Sequence, residues 1–161
     1  ITIHGRTRCQ FYEGRADWKF VQAVKDAVKI PVVVNGDITS FDEVDSALAE
    51  SGADGVMIGR GSYGRPWFPG QVVHYLRTGE RLADPSIDAV RAIVLEHYRA
   101  LLSHYGREPG SRIARKHLGW YSKGLPQSAE FRSAVNREPD PAKVEAMIER
   151  FFQPQPQLMA A

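Results

Sequence analysis

The sequence predicts an α/β unit followed by an all-α one. Three observations carry this. Residues 1–79 alternate short apolar runs with amphipathic stretches of helical period, the pattern of a parallel sheet covered by helices. From Asp88 onward the strand signals stop and the apolar residues recur only at helical spacing. Between the two, RLADPS at 81–86 marks a change of composition.

The elements follow in order. ITIH at 1–4 is β-branched and runs into Gly5, predicting a first strand. Asp17 predicts an N-cap for a helix whose apolar positions Trp18, Val21, Val24 and Val28 share one face. IPVVVNGD at 30–37 is a short continuous apolar run, the mark of a strand buried on both faces. Ser40 and Glu43 form an S-x-x-E capping box ahead of Val44, Ala47 and Leu48. Gly52 ends that helix, and DGVMIG at 54–59 predicts another buried strand. Pro69 opens a helix through Val72, Val73 and Leu76 that Gly79 stops.

The second half reads as a small helical bundle. Residues 88–105 carry Val90, Ile93, Val94, His97, Leu101 and Tyr105 on one stripe. Residues 110–124 place Ile113, His117 and Tyr121 on one face with Leu118 beside them. Asp140-Pro141 is an N-cap with proline at the first helical position, leading to Val144, Ile148 and Phe151. The organisation expected is therefore 1–79 as a βα unit, 80–87 as a linker, 88–152 as the bundle and 153–161 as a flexible tail.

Three βα units can belong to a TIM (β/α)8 barrel or to an open doubly wound sheet, and two features favour the C-terminal three units of a barrel. Polar residues gather at the C-terminal ends of all three strands (His4, Asn35 with Asp37, Arg60), and no G-x-G-x-x-G follows any strand. Three units do not close a barrel, and Ile1 opens directly in strand-like sequence, so the chain reads as the C-terminal piece of something longer. Exposed strand edges then predict self-association.

Composition excludes several classes. The 43% hydrophobic and 25% charged content is that of an ordinary globular protein, and no apolar run reaches the ~18 residues of a membrane span. The single cysteine, Cys9, cannot form an internal disulfide, which with the missing leader predicts a cytoplasmic protein. His74, His97, His104 and His117 have no metal-ligand spacing with cysteines or carboxylates, so no metal site is expected.

An anion site is the sharpest expectation. Asn35-Gly36-Asp37 and Gly59-Arg60-Gly61 are loops at the ends of successive strands, where barrels commonly hold phosphate. Glycine lets the backbone approach phosphate oxygens, and arginine offers a bidentate fork. No Walker lysine pattern is present, which argues against a nucleoside triphosphate. His4 stands at the end of its strand, where barrel active sites lie, and Cys9 follows in a polar loop without an obvious activating histidine in the sequence.

Charge distribution adds a second expectation. Residues 1–79 balance nine Lys/Arg against nine Asp/Glu, whereas residues 88–136 hold eight basic residues against four acidic ones. Arg112, Arg115, Lys116 and Lys123 fall on roughly one side by helical spacing, with Trp120 and Tyr121 interleaved. Such a face suits an RNA backbone. The fallback RNA surface is the mouth of the strand unit, around Arg6, Arg8 and Arg65.

The stretches ITIHGRTRCQFYEGRADW, IPVVVNGDI, GADGVMIGRGSYGRPW and RIARKHLGWY together resemble the C-terminal half of bacterial tRNA-dihydrouridine synthases, most of all the B-type, NifR3-like branch. The resemblance runs to about Phe152. It implies an FMN-binding TIM barrel followed by a helical tRNA-binding domain, with NADPH reducing the flavin and uridine in tRNA as substrate. It implies cofactor contacts at His4, Asn35, Gly36, Asp37, Gly59 and Arg60, and tRNA contacts at Arg112, Arg115, Lys116 and Lys123. The family's proton-donating cysteine belongs to an earlier barrel loop, so Cys9 does not match it, no catalytic residue is expected within this chain, and the N-terminal half of the protein is an expected partner. Two other functions stay open: a different FMN-dependent barrel oxidoreductase, and a non-catalytic RNA-binding or regulatory fragment.

Overall fold

The computed structural model describes residues 1–11 and 13–154. Most of the expected tail, 155–161, lies outside the described residues. The chain divides into two compact units, Ile1–Leu82 and Ala83 onward.

In the first unit, strands β1 (Thr2–His4), β2 (Val33–Asn35) and β3 (Gly55–Met57) form a parallel sheet in the order β1-β2-β3. Helices α1 (Trp18–Ala27) and α2 (Phe41–Ser51) make the crossovers, and α3 (Phe68–Thr78) follows β3. Trp18, Val21, Val34, Val44, Ala47 and Phe68 meet in one buried core. Truncating a residue such as Phe68, which is wholly buried, to alanine costs about 3–5 kcal/mol.

The caps form as the sequence predicts. Asp17 accepts from the Phe20 N–H, and Ser40 accepts from the Glu43 N–H. Glu43 also reaches one residue further back, accepting from the Thr39 N–H (2.7 Å) and hydroxyl as well as from the Ser40 hydroxyl (3.2 Å), so the box spans one residue more than its motif.

The strands are shorter than the apolar runs suggest. Pro31 has no N–H to give a ladder, and the Val32 N–H donates to the Asp54 carboxylate instead (2.7 Å), so β2 starts at Val33. The positive φ of Gly36 and Asp37 ends it. The expectation that 54–59 forms another buried strand fails: β3 is an edge of the sheet, Gly55 and Val56 are half-buried, and Met57 is exposed. On α3 the buried residues are Phe68, Gln71 and Val72, while Val73 and Leu76 face outward from that stripe.

The second unit contains α4 (Ile87–Tyr105), α5 (Arg107–Tyr121), α6 (Ser128–Arg137) and α7 (Pro141–Phe151). A single residue, Gly106, separates α4 from α5. Helix α5 starts three residues before the predicted 110, because Pro109 is tolerated in a first turn, and it ends before Lys123. Helix α6 has no sequence signal at its start: Gln127 precedes it in a left-handed conformation without a side-chain cap. Tyr105, expected on the buried stripe of α4, is half exposed, and Tyr98 is buried in its place. The Tyr98 hydroxyl donates to Ser111 (3.0 Å) on α5 and to the Pro141 carbonyl (3.1 Å) on α7. It pins three helices at one point.

Candidate functional site

Register levels the strand ends. His4 pairs with Asn35, and Asn35 with Met57, so the loops leaving β1, β2 and β3 start from one line. Beyond that line lies a cavity of about 560 Å³, inside the roughly 300–1,000 Å³ of small-molecule sites. His4, Asn35, Gly36, Asp37, Gly59 and Arg60 all line it. Strand-end position alone, read from the sequence, brings these six together.

Two glycines make the floor possible. Gly36 sits at φ 119°, and a Cβ there would stand 2.8 Å from the Ala16 Cβ and 3.1 Å from the His4 ring. Its carbonyl accepts from the buried Trp18 indole N–H (2.8 Å). Gly61 lets the loop after β3 run onto the loop after β2, since a Cβ there would collide with the Ile38 carbonyl oxygen.

Asp37 also has positive φ, at 55°, a conformation a short polar side chain tolerates better than most. Its carboxylate is held by a residue the sequence reading placed on an RNA-facing rim. Arg6 donates through Nη1 to Asp37 Oδ1 (2.8 Å), through Nη2 to Oδ2 and to the Gly14 carbonyl, and through Nε to the Glu13 carbonyl (3.0 Å). The Arg6 side chain is only 4% exposed, so it is not available as a surface RNA contact. Asp37 Oδ2 also accepts from the Ala16 N–H (2.7 Å). A signal was present: His4 and Asn35 pair across neighbouring strands, and Arg6 and Asp37 each lie two residues further on.

Burial pushes the Asp37 carboxyl upward, but hydrogen bonds from Arg6 and Ala16 and the charges of Arg6 and Arg60 outweigh it, leaving it below its ordinary value. Arg60 Nη2 lies farther off, 3.5 Å from Oδ1, with its side chain half exposed on the cavity wall. His4 Nδ1 accepts from the Arg6 N–H (3.0 Å). The neutral imidazole therefore carries its proton on Nε2. His4 also borders a second cavity of about 300 Å³ with Arg6, Thr7, Arg8 and Phe11. Cys9 is exposed and lines neither cavity.

The basic residues of the helical unit split. Arg112 and Lys116 are exposed on α5, Arg115 is half-buried, and Lys123 is exposed in the turn after the helix. Among the described residues, no carboxylate lies within ion-pair distance of these four. Lys116 Nζ stands 6.0 Å from the centre of the Trp120 ring. Tyr121 is core, as its stripe predicts, and its hydroxyl meets His97 Nδ1 at 3.0 Å. His97 packs edge to face on His117 at 4.8 Å. Burial lowers both histidines, with the charges of His97 and Lys116 adding to the effect at His117, and burial pushes Tyr121 up to about 12. The helical spacing that puts His97 and His117 on the apolar faces of their helices does not show that the two rings meet. Among the described residues no group of three His, Cys, Asp or Glu could hold a metal ion, and no helix is long and apolar enough to cross a membrane.

Comparison with known proteins decides the family. A model of the dihydrouridine synthase (Dus) family matches residues 1–155. The chain belongs to that family. Over 152 residues, 94% of this chain, it is 59% identical to the probable tRNA-dihydrouridine synthase of Rickettsia bellii, covering 47% of that protein. The corresponding protein of Rickettsia conorii is also 59% identical, with 46% of its length covered. The tRNA-dihydrouridine synthase B of Xanthomonas axonopodis pv. citri is 50% identical over the same share of this chain and 46% of its own length. The chain thus spans about half the length of the curated relatives it matches.

Proposed function

We propose that the chain is the C-terminal half of a flavin-dependent tRNA-dihydrouridine synthase, its β1–β3 unit completing an FMN-binding TIM barrel and its helical unit holding tRNA. The observation that carries this is the cavity at the strand ends, lined by an arginine and by glycine-bearing loops from successive strands, within a chain of the Dus family.

The residues fit an FMN phosphate. A Cβ on Gly59 would meet no protein atom within 4 Å, so the glycine leaves open space along the cavity wall. Arg60 offers a guanidinium at the same wall, and charge-assisted contacts of that kind favour a phosphate over neutral ligands. Bound there and reduced by NADPH, FMN would supply hydride to the C5–C6 double bond of a tRNA uridine. His4 holds a proton at Nε2 at the end of β1 and can donate a hydrogen bond into the site. Arg112, Arg115, Lys116 and Lys123 would meet the tRNA backbone, which positions RNA without reading its sequence. Cys9, exposed and outside both cavities, is not assigned the proton donation.

The test is dihydrouridine formation, by nucleoside mass spectrometry, with NADPH, FMN and undermodified tRNA. The whole protein carrying this sequence is expected to reduce uridine. The 161-residue chain alone is expected to be inert and to self-associate through its strand edges. No product from the whole protein, or product from the isolated chain, overturns the proposal.

A further inference from the structure

We infer that Arg115 is kept half-buried at a cost to the fold, and that it turns outward to grip one phosphate of the RNA backbone with the edge of its guanidinium. The inference rests on reading α5 as the helix that meets tRNA.

Three cations stand close together on α5, and they are not alike. Arg112 and Lys116 are exposed, whereas Arg115 is half-buried. Its neighbours along the helix explain this: Ser111, Ala114 and Leu118 are all buried. Arg115 therefore lies on the margin of the face that α5 turns toward the other helices. Its Nε is buried and has no hydrogen-bond partner among the described residues. Acceptors one turn away in either direction are engaged elsewhere. Ser111 Oγ accepts from the Tyr98 hydroxyl (3.0 Å), and the Gly119 carbonyl accepts from the Ser122 hydroxyl (3.3 Å). No carboxylate among the described residues lies within ion-pair distance of Arg115.

A buried N–H without an acceptor keeps the full desolvation penalty of burial. Arginine cannot relieve it by giving up the proton. Rotation of the stem can relieve it, provided an outside ligand offers two acceptors in the plane of Nε and Nη2. A phosphate does so. The surroundings favour a polyanion over an acidic peptide, because Arg112 and Lys116 flank the position and residues 88–136 hold eight basic residues against four acidic ones. Those two flanking cations are already solvated and act by counterion release. Arg115 adds geometry, so it fixes one phosphate where its neighbours accept any. A lysine there would keep the charge and lose the fork.

The experiment uses the whole protein carrying this sequence, with tRNA affinity measured across a salt series and thermal melting measured without RNA. Arg115→Met keeps an apolar stem and removes the buried nitrogen. It is expected to melt higher by about 2 °C or more and to bind tRNA about tenfold more weakly. Arg115→Lys should weaken tRNA about fivefold with an unchanged salt slope, whereas Arg112→Lys should stay within about twofold of wild type. A melting temperature of Arg115→Met that is unchanged or lower, or failure of that variant to fold, overturns the inference, since the arginine then supports the fold. So does an Arg115→Lys variant that binds tRNA like wild type. Normal tRNA binding by Arg115→Met beside a defect in Arg112→Met/Lys116→Met overturns the inference alone. Normal binding by both overturns the reading of α5 beneath it.

Discussion

The two units carry positive charge in opposite ways. In the strand unit, Arg6 is almost buried, and its guanidinium donates to the Glu13 and Gly14 carbonyls and to both oxygens of the Asp37 carboxylate. In the helical unit, Arg112, Lys116 and Lys123 are exposed, with no ion-pair partner among the described residues. The first arrangement is fixed and ties the loop after β1 to the loop after β2 behind the cavity. The second is loose and suits a polyanion whose phosphates come at many angles, where counterion release supplies the affinity. A chain of modest net charge, +2, can serve both because the charge is organised differently in each place.

Removing the loose set should produce the largest effect. In the whole protein, Arg112→Ala/Arg115→Ala/Lys116→Ala is expected to weaken tRNA binding about a hundredfold at physiological salt and to cut the salt slope by about two to three. All tRNA species should weaken alike, as measured by filter binding across a salt series. Unchanged affinity and slope would move RNA recognition away from α5. The cavity at the strand ends should respond next: Arg60→Ala is expected to cost about 1.5–3 kcal/mol of FMN affinity without altering tRNA affinity. A tRNA defect as large as the FMN defect would break the division between the two sets.

Acid should separate the units by a smaller margin. His97 and His117 have lowered values in the fold, so the unfolded chain binds more protons below about pH 6.5, and the helical unit loses stability as the pH falls through that value. Asp37 is lowered from 3.8, so its contribution is present above that pH and fades only below it. Indole NMR signals of Trp120 are therefore expected to melt earlier at pH 5.5 than at pH 7.5, while the shift for Trp18 is smaller. A larger acid shift at Trp18 would reverse the assignment. The smallest effect sharpens the same contrast: Ser40→Ala and Asp140→Ala each remove an N-cap and should cost about 1 kcal/mol, each in its own unit.

Much of this was legible because local chemistry decided it. Asp17, Ser40 and Asp140 cap helices wherever the chain goes next, and the six strand-end residues share a cavity because parallel strands in register end together. What stayed hidden needed partners distant in sequence. Arg6 looks like a rim residue until Asp37, 31 positions on, is brought beside it. Tyr98 is buried because two polar partners, Ser111 and the Pro141 carbonyl, satisfy its hydroxyl, and neither is visible from the sequence of α4. Lys123 belonged to the face by periodicity alone, and the helix ends before reaching it.

The single residue between α4 and α5 also sets an order of events in time. With only Gly106 to turn through, bringing these helices together closes almost no loop. The sheet is different: Thr2 must find Val33, and Val33 must find Gly55, each partner more than twenty positions away in sequence. Non-local parallel pairing is slow, whereas helix–helix contacts between chain neighbours form early. In a refolding chain, amides of α4 and α5 would thus gain exchange protection while β1, β2 and β3 are still open, and the cavity at the strand ends would be the last part of the molecule to acquire its shape.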